Sequence, residues 1–414
     1  VRLNQFRYDL ARGLGSVMLY LKQSPRLANK HIDAIYHACI KNTAYDPQCD
    51  ISREDYLWEI IQLSEESEQL QKRILAALES DIDGWDLLQV YRLAKIFALK
   101  SHSTAVEAMK KGFRYHEDWN SFIGGEEIIA VEGEQGFLFV ASRIGEQILS
   151  SDYEESKFLL EFAYEKIGEE KVTALLESQG DANIQAFVQS SVHQQEYTQS
   201  KPLHIVSYNE LKSTIGTGSG GLYRYTRWGK HASKEDLLKA ANDLLQESNS
   251  KILLPYLYIF AKAVFPLDPQ KLIELAGSKN RRLRSQAIRV LSNIKDERIH
   301  KLAIKLATER ATEIDALDLF IHNCSDEDVH LFEQIVFKNH SRDTFHSAGF
   351  SILKIFENNR TPLCRKILIE LYKKALCTFC RQRSVEIMVL NGILPDSIQN
   401  EILHDCNPDI RVLG

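Results

Sequence analysis

Apolar residues recur three and four positions apart along most of the chain, the spacing of one buried helix face. Phe6, Leu10, Leu14, Met18 and Leu21 form one such stripe and predict a first helix over that stretch. Helical runs follow near residues 30–42, 53–63, 67–79, 85–99, 102–115, 134–149, 154–167, 169–178 and 181–192. Gly124-Gly125 and the stretch from Glu132 to Gly136 break the pattern, and no regular period joins the runs. Residues 1–195 therefore read as an irregular helical-repeat domain.

From Ser233 onward the pattern tightens into short apolar blocks separated by two to five polar residues, as expected of short helices in antiparallel pairs. In the block Asn280 to Leu291, Leu283, Ala287, Leu291 and Ile294 share one face, and the small Ala287 lets a neighbouring helix approach closely. Cys377, Cys380, Arg381, Ser384, Ile387 and Met388 repeat the offsets of Asn280, Leu283, Arg284, Ala287, Val290 and Leu291. Asn407, Ile410, Arg411 and Gly414 start a third copy, and weaker ones begin near Glu309, with Ala316, and Ser341, with Ala348. These starts are 29, 32, 36 and 30 residues apart. A loose period near thirty marks stacked helical units that bury their faces against one another. Thr361-Pro362 and Asp268-Pro269 are helix-start signals, Ser325 with Asp328 is a capping pair, and Asn391-Gly392 is a helix stop. Because the last copy is incomplete, the array is expected to continue beyond Gly414 or to be cut short there.

A polar residue, an apolar-Arg pair, a small residue and two apolar residues at these offsets resemble the second helix of a HEAT repeat. The resemblance covers residues 231–414, with Glu313 and Phe345 replacing the arginine in the two weakest copies. It implies an all-α fold, an alpha-alpha superhelix or HEAT-like solenoid, and a role as an extended binding scaffold.

Between the halves, residues 196–230 combine Thr217-Gly-Ser-Gly-Gly221 with Tyr223, Arg224, Tyr225, Arg227, Trp228 and Lys230. The Gly/Ser part reads as a flexible linker. The aromatic-basic part suits single-stranded nucleic acid, with rings stacking on bases and cations on phosphates, or else anchors the linker to the next helix. Charge supports asking the question. The net −6 divides into 22 cations against 33 acids over residues 1–220, 18 against 9 over 221–310, and 11 against 15 over 311–414. Arg281 and Arg282 add to the basic segment at a helix start, where the dipole disfavours cations unless an anion lies nearby.

Few glycines and prolines, 20 and 9, favour helices over strands, and 44% hydrophobic with 26% charged residues is ordinary for globular proteins. Seven scattered cysteines and no apolar run of membrane-spanning length place the expected location in the cytoplasm, away from any membrane. Cys377-Thr-Phe-Cys380 is a candidate metal pair, with Cys364, His404 and Cys406 as further possible ligands, although a second tight pair is lacking. The register offers another account, Cys380 as a small buried apolar residue. The chain holds no nucleophile elbow, no His-Glu-x-x-His helix and no dinucleotide fingerprint. The expectation is thus a non-enzymatic scaffold that binds another protein through a concave groove, without a catalytic residue or a cofactor. The alternative is a nucleic-acid-binding protein using residues 223–289, in the manner of HEAT-like DNA glycosylases.

Overall fold

The computed structural model describes residues 2–100, 103–116, 122–150, 158–193, 206–217, 221–309 and 313–414. Among these residues the protein is all-α, with 27 α-helices, no strand and 73% of residues helical. No helix among them is long and apolar enough to cross a membrane. The chain divides into two compact units, Val1–Lys201 with Leu376–Thr378 and Asp396–Gly414, and Pro202–Ala375 with Phe379–Pro395.

In the first unit the stripe from Phe6 to Leu21 is buried throughout, but two helices carry it, Leu3–Arg12 and Gly15–Leu21. Gly13 separates them with φ 69°, a left-handed conformation that glycine adopts without penalty. Gly15 permits close packing. A Cβ there would stand 1.8 Å from the Glu401 carbonyl oxygen, so only glycine lets its helix meet Asp396–Ile402. The Cys406 amide adds a 2.8 Å hydrogen bond to the Gly13 carbonyl.

One core continues from these helices through Tyr56, Ile74, Tyr91, Phe113 and Phe137 to Phe187, and takes in Cys406. Helix Gly84–Leu99 shows how the elements are set. The Asp83 carboxylate caps the Trp85 amide at 3.0 Å, and Leu87, Val90, Tyr91, Ala94 and Phe97 bury one broad face. The glycine break falls where expected: Gly124 (φ 96°) precedes helix Gly125–Glu132, and Gly133 (φ 58°) separates it from Glu134–Ser150. The polar stretch from Tyr45 to Asp55 is a loop folded around Asp50, whose carboxylate accepts from the amides of Tyr45 and Thr378, followed by helix Glu54–Gln62.

The second unit is a succession of short helices joined by tight turns. Side chains start several of them: Ser233, Asn249, Asn280, Asp296, Ser341 and Thr361 each accept from an amide of the first turn. Ser325 and Asp328 form a reciprocal capping box, and Gly392 lies at φ 64° past the helix that ends at Leu390. Helix Arg281–Leu291 packs on Gln270–Ala276 and Ser250–Ile259, and Val329–Val336 packs on Arg342–Asn358 and Arg365–Lys374. Leu283, Ala287, Val290, Leu291, Ala316 and Ala348 are all buried.

The helices are also cross-tied by side-chain bonds of similar reach in sequence. The Arg298 guanidinium forks onto Asp268, Ser285 donates to Asp315 at 3.1 Å and Ser351 to Asp318 at 2.7 Å, while His300 meets Asp328 at 2.9 Å. These pairs are 30, 30, 33 and 28 residues apart.

Candidate functional site

Two helices, Tyr208–Thr214 and Tyr223–His231, occupy the described part of the expected linker; residues 196–205 and 218–220 lie outside the described residues. The second helix carries the aromatic-basic stretch, and its rings face inward. Trp228 is 5% exposed, donates its indole N–H to the Val206 carbonyl at 2.8 Å and lies against Tyr208, with ring centroids 5.9 Å apart. Tyr225 is buried as well, and the half-buried Arg224 donates to its hydroxyl at 2.7 Å and to the Thr214 carbonyl at 3.3 Å. Gly229 brings the helix onto backbone, since a Cβ there would stand 1.9 Å from the Ile259 carbonyl oxygen. Burial explains why composition misleads here: two large rings gain more by packing than a short basic segment gains by remaining mobile. Tyr223, Arg227 and Lys230 remain exposed.

A hydrogen-bond knot holds this region to helix Lys234–Gln246. Tyr208 donates to Asp243 at 2.5 Å, and Lys212 pairs with the same carboxylate at 2.6 Å. Burial pushes the Tyr208 hydroxyl well above its ordinary pKa, and its bond to Asp243 adds to the shift. Burial opposes ionisation of Asp243 too, but the bonds from Lys212 and Tyr208 prevail and hold its pKa down.

Arg281 and Arg282 are exposed at the start of their helix and form no ion pair among the described residues. Their helix and Tyr223–His231 each pack on Ser250–Ile259, so the two basic clusters stand on separate elements.

A groove of about 730 Å³ opens elsewhere in the second unit, and none of Arg224, Arg227, Trp228, Lys230, Arg281 and Arg282 lines it. Its walls come from the stretch after Ser250–Ile259, from Arg281–Leu291, from residues 314–321 and from Arg342–Asn358. Lys262, Arg289 and Lys354 line it and form no ion pair among the described residues, whereas Asp315 and Asp318 already accept from Ser285 and Ser351. Phe350 stands 42% exposed in it, with the Lys354 ammonium 4.4 Å and the Arg383 guanidinium 5.1 Å from its ring centroid. His346 stacks on the same ring at 6.4 Å. Only Ala261, Ile288, Ile314, Ile321 and Phe350 among the lining residues are apolar. Pockets for small apolar ligands are predominantly hydrophobic, so this open, polar lining with one aromatic anchor resembles a protein interface more closely.

Cys377 stands immediately before helix Thr378–Leu390, and Cys380 lies in its first turn; both are buried. The partners suggested by sequence proximity are engaged elsewhere. Cys364 donates to the Thr361 carbonyl at 2.9 Å, His404 meets Lys22 at 3.4 Å, and Cys406 packs at Gly13. Beside Cys380 instead lies His346, whose Nδ1 is 3.6 Å from the sulfur. Sequence proximity does not reveal His346. The loose thirty-residue period could have, because side chains about one period apart meet repeatedly in this unit.

No protein-family model and no curated protein matches the chain.

Proposed function

We propose that the protein is a non-enzymatic interaction protein whose second unit is a HEAT-like helical array, and that the groove around Phe350 receives a segment of another protein. The array reading draws support from the recurrence of cross-helix bonds at 28 to 33 residues, close to the sequence register. Stacked repeats make such contacts between neighbours and few at longer range.

The groove itself carries the functional reading. Lys262, Arg289 and Lys354 line it with no ion pair among the described residues, Lys354 standing over the exposed Phe350 ring, while Asp315 and Asp318 are already hydrogen-bonded. At about 730 Å³ the groove is small beside a whole interface and serves as an anchor point for one segment of the partner.

A paired binding experiment tests this. The purified chain is used to capture partners from lysate beside a Lys262→Glu, Arg289→Glu, Lys354→Glu variant, and both are titrated with short DNA and RNA at about 50 and 200 mM salt. A captured protein that is lost with the variant, without salt-sensitive nucleic-acid binding, supports the reading. Salt-sensitive nucleic-acid binding abolished by Arg227→Glu with Arg281→Glu and Arg282→Glu replaces it with the alternative.

A further inference from the structure

We propose that the segment received by the groove is acidic and extended, its carboxylates meeting the lysine and arginine side chains of the groove and of a hollow that adjoins it; this rests on the groove reading above. The hollow, about 340 Å³, shares Asn293, Ile321 and Asn358 with the groove and adds Lys295 and His322. Together the two are lined by Lys262, Arg289, Lys295 and Lys354, none with an ion pair among the described residues. The acids in the lining are Asp315 and Asp318, and each already accepts from a serine hydroxyl. Lys262, Arg289 and Lys295 belong to residues 221–310, where 18 cations face 9 acids in a chain of net charge −6. A neutral or basic occupant would strip water from these cations and return no counter-charge, a cost that carboxylates offset.

The cations come from different places in the fold. Lys262 follows helix Ser250–Ile259, Arg289 lies in Arg281–Leu291, Lys295 in the turn after it and Lys354 in Arg342–Asn358. Charges spread over several elements match a chain bearing several carboxylates better than a single anion. Two carboxamides address the main chain of that segment. Asn293 and Asn358 donate to the Arg289 and Lys354 carbonyls at 3.3 and 2.9 Å, which leaves each a second amide hydrogen and its oxygen for an occupant. Such a side chain pairs with the N–H and C=O of an extended segment, groups that a helical one uses internally. The 42% exposed Phe350 offers an apolar contact for one side chain of the segment. Bases would find a single Phe ring, already faced by Lys354 and Arg383, where single-stranded nucleic acid stacks on a succession of rings.

The test selects phage-displayed random peptides of about twelve residues, about 40 Å when extended, on the full chain and measures the selected peptides by fluorescence anisotropy. The expected peptides are rich in Asp and Glu, and their binding weakens as salt rises from about 50 to 200 mM. Lys354→Glu and Lys295→Glu should each lower affinity about tenfold or more. Lys305→Glu changes net charge equally from outside the groove and should leave affinity nearly unchanged. Lys295 and Lys305 are exposed, so their variants keep the helical circular dichroism, and the exposed Arg289→Glu replaces Lys354→Glu if that variant does not fold. Peptides that lose binding with Phe350→Ala but show no excess of acids overturn the acidic occupant and leave the groove reading standing. Acidic peptides weakened equally by all three lysine variants also overturn it, since overall charge then accounts for binding. A labelled peptide displaced more readily by a single-stranded oligonucleotide than by unlabelled peptide overturns it in favour of nucleic acid. Selection of no peptide sensitive to Phe350→Ala or Lys354→Glu overturns both readings.

Discussion

Replacing Trp228 by alanine separates packing from ligand contact in the basic-aromatic helix. The indole is 5% exposed, rests on Tyr208 and donates to the Val206 carbonyl at 2.8 Å. Truncating a buried aromatic to alanine costs about 3–5 kcal/mol, transfer and cavity terms together. Loss of the indole donor contributes about 1 kcal/mol within that range. With a urea dependence of about 2 kcal/mol per molar, a 4 kcal/mol loss moves the second unit's unfolding midpoint down by about 2 M. Trp228→Phe keeps most of the bulk and loses the hydrogen bond, so a shift of about 0.5–1 M is expected. Urea titrations followed by far-ultraviolet circular dichroism read both values. If Trp228→Ala unfolds within about 0.25 M of the parent, the ring is not a packing element, since surface changes stay within about 0.5 kcal/mol. A stacking role for Trp228 would then regain its force.

Gly15→Ala should destabilise the first unit by about 1–3 kcal/mol or more, because its Cβ would fall 1.8 Å from the Glu401 carbonyl oxygen. Gly180→Ala, with no neighbouring atom within 4 Å, serves as the neutral control, and thermal melts compare the two. Arg298 holds Asp268 and Asp296 below the ordinary carboxylate range through side-chain hydrogen bonds. Lowered folded pKa values mean that this stabilisation is fully present above the unfolded value of about 3.9 and is lost as pH falls through the folded ones. The melting-temperature gap between the parent and Arg298→Ala should therefore close in acid; a gap unchanged down to about pH 2 contradicts the assignment. All three groups are on the surface, so the gap itself should be small.

The positions of most helices were legible because burial follows apolar spacing. Runs expected at residues 85–99, 134–149 and 169–178 correspond to Gly84–Leu99, Glu134–Ser150 and Glu169–Ser178. Periodicity could not show where a stripe bends. Phe6 to Leu21 stays in phase across Gly13, and only the left-handed turn at Gly13 and the close approach of Gly15 to Glu401 reveal why two glycines stand there. Composition misled at Tyr223 to Lys230, since a basic, aromatic stretch after glycines reads as a linker until Trp228 finds Val206 and Tyr208. The groove was hidden for a different reason. Lys262, Arg289 and Lys354 lie far apart in sequence, and whether a cation has a carboxylate partner depends on tertiary contacts that no local pattern encodes.

The most direct test of the groove reading is a photo-crosslinking side chain placed at Ser347, which is exposed in the groove beside Phe350. A matching probe at Arg282, outside the groove, is the reference. Irradiation in cells should give a discrete protein adduct at Ser347 that disappears when Arg289→Glu and Lys354→Glu are added, with little adduct at Arg282. Nucleic acid crosslinked at Arg282, with no protein adduct at Ser347, would contradict the account.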